Sequence, residues 1–214
     1  MRTESHNKAT DLGLLALRLT SGGLMAGHGA QKLFGSFGGH GIEGTSGFFQ
    51  SLGLKPSKQW AAVAGAGEFG SGVLTALGLG GPIGPISMYG PMIMAWTTAH
   101  AGKPIWNTSG GAELPLMFMS NAAALALIGP GRYSLDKALG VKIPAVLGAL
   151  TAAAVIAGVA VAHLTRDQPI EEQLPVTDTQ DEAHVDPGIE NEITPAEGES
   201  IEEFKAREVG GDMS

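Results

Sequence analysis

The sequence is 214 residues long and has no cysteine. That excludes disulfides, thiolate metal sites and thiol relays within the chain. Any redox chemistry must rest on a bound cofactor or a partner subunit. The motifs that announce common chemistries are missing too. There is no phosphate-binding glycine–lysine loop, no dinucleotide fingerprint behind a strand and no HExxH pair. The glycine-rich stretch 35–44 has no strand before it and does not read as nucleotide binding. Basic residues number 13 against 21 acidic ones, and they form no cluster suited to nucleic acid.

The charge that is present divides the chain. Residues 1–164 carry ten Lys/Arg and six Asp/Glu, net +4, whereas residues 165–214 carry three and fifteen, net −12. The overall −8 therefore describes the C-terminal part. That part contains proline, lacks aromatic residues apart from Phe204, and cannot bury enough apolar surface to order itself. It reads as a disordered acidic tail, in which ESIEEFKARE is able to form a helical turn or two against a partner.

The body holds five apolar segments, at 12–34, 60–79, 83–99, 114–128 and 143–164. Crossing a bilayer takes roughly 20 residues, so the third and fourth are short. In lipid each must be helical, because no water satisfies the backbone there. A soluble bundle would show a polar stripe every three or four residues. The second segment has one charge and the fifth has none. The first has no small-residue cleavage site and contains Arg18, so it reads as a retained span and not a signal peptide. Small residues four apart let helices approach closely. Gly23 and Gly27 have that spacing, as do Ala62, Ala66 and Gly70, and Ala154, Gly158 and Ala162. Trp60, Trp96 and Trp106 fall near span ends, where aromatic belts form.

The loop bias of Lys and Arg sets orientation. One face collects Arg2, Lys8, Arg132, Lys137 and Lys142, and the other Lys55, Lys58, Lys103 and Arg166. This leans to a cytoplasmic N-terminus, which places the tail outside the cytoplasm after five spans.

Arg18 and Glu68 are the main candidate site residues. Each is a charge inside an apolar span, and such charges face the bundle interior and find partners. The expectation is that they pair, either beside a pocket for a polar headgroup or quinone, where a desolvated Glu68 could pass a proton, or as a structural clamp. Counting 100° per residue places Arg18, Met25 and Lys32 on one helix face, with His28 about 80° away. His28, His40 and His100 would meet only if their loops share one side, and no metal site is assigned to them. Glu113 is expected to start the fourth helix, where the helix dipole favours a carboxylate. Asn121, polar within its span, is expected to bond across helices. The long loop 37–58 carries His40, Glu43 and the helix-like GFFQSLGL, and loops of that length often carry function.

Several stretches together resemble the DoxX family of small bacterial membrane proteins. They are LRLTSGGLMAGHGAQKLFG, GGHGIEGTSGFFQSLGL, AGAGEFGSGVLTALGL, MIMAWTTAH, and GGAELPLMF running on to LIGPGRYSLD. The resemblance spans residues 12–139. It implies a four-helix membrane bundle and places Arg18, His28, Lys32, His40, Glu43, Glu68, His100, Glu113 and Arg132 in patterned positions. Some relatives are subunits of thiosulfate:quinone oxidoreductase, and others accompany oxidative-stress and sulfur-metabolism enzymes. Thiol-linked relatives use cysteine pairs, which this chain does not have.

The expected fold is thus an all-α integral membrane helical bundle. It has a four-helix core at 1–140, a further transmembrane helix at 141–164 and the disordered tail at 165–214. The expected role is a multi-pass subunit of a redox or oxidative-stress assembly in the bacterial inner membrane, interacting with quinone or anchoring a soluble oxidoreductase. The alternatives are a scaffold recruiting a partner through the tail, or a small-molecule transporter. Expected partners are membrane lipids and proteins of a membrane complex, with a homo-oligomer also open.

Overall fold

The computed structural model of the chain describes residues 7–167. The acidic tail beyond Asp167, expected to be disordered and containing ESIEEFKARE, lies outside the described residues.

Every apolar segment becomes helix. Helix α1, Lys8–Phe34, opens on Asn7, whose side chain accepts from the Thr10 N–H at 2.8 Å, and it ends on left-handed Gly35. Helix α2, Gly41–Ser51, is the helix-like part of the long loop. Helix α3, Ser57–Leu77, stops at Gly78. The third segment is broken into α4, Ile83–Ser87, α5, Tyr89–Met94, and one π turn, Ala95–Ala99. Pro91 has no N–H to return to the Ser87 carbonyl, which is where α4 ends. Helix α6 is Glu113–Ile128, α7 is Leu135–Leu139 and α8 is Ala145–Leu164. Among the described residues there is no strand, only one isolated bridge between Leu54 and Arg166.

The fold is therefore all-α. By length and composition, α8 alone among the described helices suffices to cross a membrane, with a mean hydropathy of 2.3, and α6 is apolar but shorter. Hydropathy thus carries one span, not the expected four plus one.

Helices α1 and α3 run antiparallel and make the most extensive packing in the molecule. Their contact is backbone against backbone. A Cβ added to Gly22 would lie 2.5 Å from the Ala76 nitrogen, and one added to Gly29 would lie 2.6 Å from the Phe69 Cα. From the other side, a Cβ on Gly72 would lie 2.6 Å from the Gly22 carbonyl oxygen. This corrects the small-residue stripes read from sequence. Gly23, Gly27, Gly70 and Gly158 face nothing within 4 Å of an added Cβ, and Ala62, Ala66 and Ala154 are exposed, whereas Ala162 is buried. The contact uses seven-residue spacings, Gly22 with Gly29 and Gly65 with Gly72. That spacing keeps one face of each helix inward, the face that also buries Arg18, Met25 and Glu68.

A methionine-rich cluster of Met25, Met88, Met92, Phe118, Met119 and Ala122 joins α1 to α5 and α6. Tyr89 donates its hydroxyl to the Met119 carbonyl at 2.8 Å, and Asn121 donates to Ser21 Oγ at 3.1 Å, the expected cross-helix bond. Helix α8 packs on α4 and α5, with Gly148 against Pro82 and His163 Nε2 2.9 Å from Thr97 Oγ1. Only 11% of its most apolar stretch is buried.

The close contact predicts a sharp asymmetry between neighbouring glycines. In thermal unfolding of the detergent-solubilised chain, Gly22→Leu should destabilise by about 1–3 kcal/mol or more, the scale of overpacking. Gly23→Leu should leave the midpoint nearly unchanged. Equal effects from the two would sink the assigned helix contact.

Candidate functional site

The register set by the glycines decides which charges meet. Gly29 stands against Phe69, and Gly22 against Ala76. Glu68 therefore lies level with the end of α1. Arg18 is eleven residues back from Gly29, about 16 Å along the axis at 1.5 Å per residue. The expected Arg18–Glu68 pair does not form. Glu68, 3% exposed, takes Lys32 instead, with Lys32 Nζ 2.6 Å from Oε2. Lys32 keeps 28% of its side chain exposed, so the pair connects the bundle interior to its rim.

His28 and Gln31 lie beside this pair. His28 Nδ1 is 3.2 Å from Gln31 Oε1, and Gln31 Nε2 donates to the Phe37 carbonyl at 3.4 Å. The His28 ring meets Phe118 edge-on, with centroids 6.1 Å apart. Outside them opens a groove of about 660 Å³, lined by His28 and Gln31 and walled by Leu24, Phe34, Phe37 and Phe69. Phe34 and Phe69 pack edge to face at 5.8 Å.

Arg18 belongs to the opposite end of the bundle. It is 2% exposed and donates from Nη2 to the Tyr133 carbonyl. Its guanidinium fills the space where a Cβ on Gly78 would stand, and Gly78 also needs φ 62°, so only glycine serves there. The opposing charge is Asp136. That carboxylate accepts from the Gly80 N–H at 3.0 Å and the Gly81 N–H at 2.6 Å, while the Asp136 N–H donates to the Gly78 carbonyl at 3.1 Å. Nearby, buried Asp11 accepts from the Arg132 N–H at 2.9 Å, and exposed Arg132 keeps its Nε 4.0 Å from the same carboxylate. These bonds tie the 129–141 segment to the ends of α1 and α3.

The other candidates hold loops. Glu43 pairs with Lys58 at 2.5 Å, but both are largely exposed and such pairs contribute little. His40 precedes α2 without a side-chain cap bond. His100 Nδ1 donates to the Gly110 carbonyl at 2.7 Å. Glu113 does open α6, but its carboxylate reaches back to accept from the Asn107 N–H at 2.8 Å. Among the described residues no three His, Asp or Glu side chains form a metal-holding group, so His28, His40 and His100 do not converge as one.

Sequence reasoning missed Asp11, Asp136, Gln31 and Phe37. Asp11 had a signal: it lies seven residues before Arg18, on the face of Arg18, Met25 and Lys32. Asp136 had none, because its partners are backbone N–H groups in a distant turn.

Among known families, the DoxX family model matches residues 13–101, which run from α1 through the π turn and include His28, Lys32 and Glu68. The match ends before α6, short of the 139 that the resemblance reached. No curated protein and no solved structure matches the chain.

Breaking the central pair tests its role in the fold. Lys32→Met leaves Glu68 buried without its cation and should cost about 3–5 kcal/mol of stability. Adding Glu68→Leu to that variant should restore most of the loss. Chemical unfolding of the four chains, Glu68→Leu alone included, reads the cycle, and additive losses would show that the two side chains do not interact.

Proposed function

We propose that this DoxX-family membrane protein crosses the bacterial inner membrane several times. In this reading it serves as the membrane subunit of a redox-linked assembly. A lipid-soluble headgroup, such as a quinone, would enter the groove beside the Lys32–Glu68 pair.

Multiple crossings are supported by how polarity is distributed. The interior buries Asp11, Arg18, Ser21, Glu68, Ser71 and Thr75. The outside exposes Leu19 and Leu24 on α1, Val63 on α3, Met117 and Leu127 on α6, and Leu150 and Ile156 on α8. Water disfavours such a surface and hydrocarbon accepts it. By chain alternation, Trp60, Trp96 and Trp106 all fall at the end that holds the groove, together with exposed Phe34 and Phe37. Aromatic rings of this kind favour a membrane interface.

The single observation behind the binding role is an open apolar groove adjoining a buried ion pair. Ligand sites are mostly apolar with a few placed polar groups. Phe34, Phe37 and Phe69 suit a planar ring and its tail, and His28 and Gln31 supply the polar end. A quinone, when bound, brings the electron-accepting ring. The lining residues bind and orient it, with Gln31 and Phe69 each one residue from the Lys32–Glu68 pair.

A specific observation also favours a recruiting role for the acidic tail. The last described residues are fixed at the groove end. The Asp167 N–H donates to the Gly53 carbonyl at 2.9 Å, Lys55 Nζ is 2.5 Å from Asp167 Oδ2, and Arg166 Nε donates to the Leu52 carbonyl at 2.7 Å. The tail therefore starts from an anchored point. Nothing comparable favours a transporter.

Two experiments check this reading. Because the chain has no cysteine, single Lys103→Cys and Lys137→Cys variants can be labelled in intact cells with an impermeant maleimide. Lys103→Cys should label from outside and Lys137→Cys only after lysis; labelling of both from one side contradicts an odd number of crossings between them. For the groove, a short-chain quinone should bind the purified full chain in nanodiscs. Phe69→Ala should weaken binding by about fivefold or more, the scale of a lost ring contact. Arg132→Ala, at the far end, should not.

A further inference from the structure

We infer that the groove beside His28 selects a ring headgroup in its hydroxyl-bearing form, a phenol or hydroquinone, over the carbonyl form. The inference rests on the groove reading above and adds which hydrogen-bonding partner the site demands.

The argument starts from an atom whose role is fixed. The Phe37 backbone carbonyl can only accept a hydrogen bond. The group facing it at 3.4 Å is therefore the Gln31 amide nitrogen, which donates. That choice turns the Gln31 amide oxygen towards His28, 3.2 Å from Nδ1. An amide oxygen only accepts, so Nδ1 carries the hydrogen and donates. In a neutral imidazole the other nitrogen then carries the lone pair. His28 lines the groove, and Nε2 is its ring nitrogen left free to accept from an occupant.

The elements of this relay are held in place. Phe37 sits in a three-residue 3-10 turn, Ser36–Gly38, with φ 53°. That left-handed conformation is uncommon for a bulky residue and directs its carbonyl back at α1. Gln31 lies one turn after His28 on the same helix, the spacing at which side chains meet. The edge contact with Phe118 orients the imidazole plane.

Of the other polar side chains near the groove, Ser36 lines it with a hydroxyl that both donates and accepts and so favours neither form. The Gln31 nitrogen is engaged with Phe37, and the Lys32 ammonium is engaged with Glu68. A carbonyl oxygen placed against Nε2 would set two acceptors face to face. A hydroxyl placed there donates, and its ring lies between Phe34, Phe37 and Phe69.

The test uses the full chain, labelled with ¹⁵N-histidine, in lipid nanodiscs. Three probes of similar shape are titrated: a short-chain hydroquinone, the matching benzoquinone and the hydroquinone dimethyl ether, which has no hydroxyl to donate. The hydroquinone should bind about fivefold or more tightly than either of the others, as expected for one net hydrogen bond. The His28 nitrogen shifts should show Nδ1 protonated and Nε2 bare. Gln31→Met, which removes the acceptor that fixes the ring, should bring the three affinities together while the probes still bind. Equal affinities in the unmodified chain, or a His28 ring protonated at Nε2, overturn the inference and leave the groove reading standing. Failure of all three probes to bind overturns both.

Discussion

The close contact of α1 with α3 is the constraint on which the rest depends. Glycines at seven-residue spacing bring two backbones together, and backbones leave no room for adjustment. A long side chain at such a contact can bend away, whereas a carbonyl or a Cα cannot. The register between the helices is therefore fixed to the residue, and the register in turn decides the electrostatics. Gly29 opposite Phe69 brings Lys32 within reach of Glu68. Gly22 opposite Ala76 carries Arg18 to the level of Gly78, where the missing side chain leaves space for its guanidinium.

Two ends of different character follow from this one contact. At the Arg18 end the buried charges each bond to a backbone group, while Arg18 Nε and Nη1 stay buried without a hydrogen-bond partner. Asp136 caps the turn after α3, Asp11 takes an N–H of the 129–141 segment, and Arg18 donates to a carbonyl of that segment. Such bonds hold the fold shut because each buried charge has a fixed neighbour in the main chain. At the Lys32 end the buried carboxylate has a partly exposed lysine as its partner, and the neighbouring Gln31 and Phe69 line an open groove. A long lysine side chain can reorganise at little cost, while a loop closed by backbone hydrogen bonds cannot.

Much of this was legible in the sequence, and the boundary of legibility has a physical cause. All five helical segments could be read, because an apolar run without a polar stripe has few other ways to fold. The inward face of α1 was also readable, since Arg18, Met25 and Lys32 lie seven apart, and extending that series back reaches Asp11. The partner of Glu68 was not readable. Two charges in two apolar segments invite pairing, but which cation stands opposite a carboxylate depends on a register that sequence spacing within one helix does not contain. The small-residue stripes failed for a related reason. The first, second and fifth segments each have several sets of glycine and alanine four apart, and only the neighbouring helix selects the set that is used. The hydrogen bonds of Asp136 run to backbone groups more than fifty residues away, and no residue identity announces them.

The absence of cysteine acquires a sharper meaning beside this geometry. A chain without thiols can still take part in redox chemistry if it holds a diffusible carrier and leaves electron exchange to a partner. Such a protein needs little: an apolar slot open to the membrane, one well-placed polar atom to recognise the headgroup, and a fixed framework behind it. The groove by His28 offers the first two, and the glycine contact supplies the third by immobilising the helix that carries His28, Gln31 and Lys32. A side-chain amide held by a main-chain carbonyl is a modest device, yet it determines whether the histidine accepts or donates.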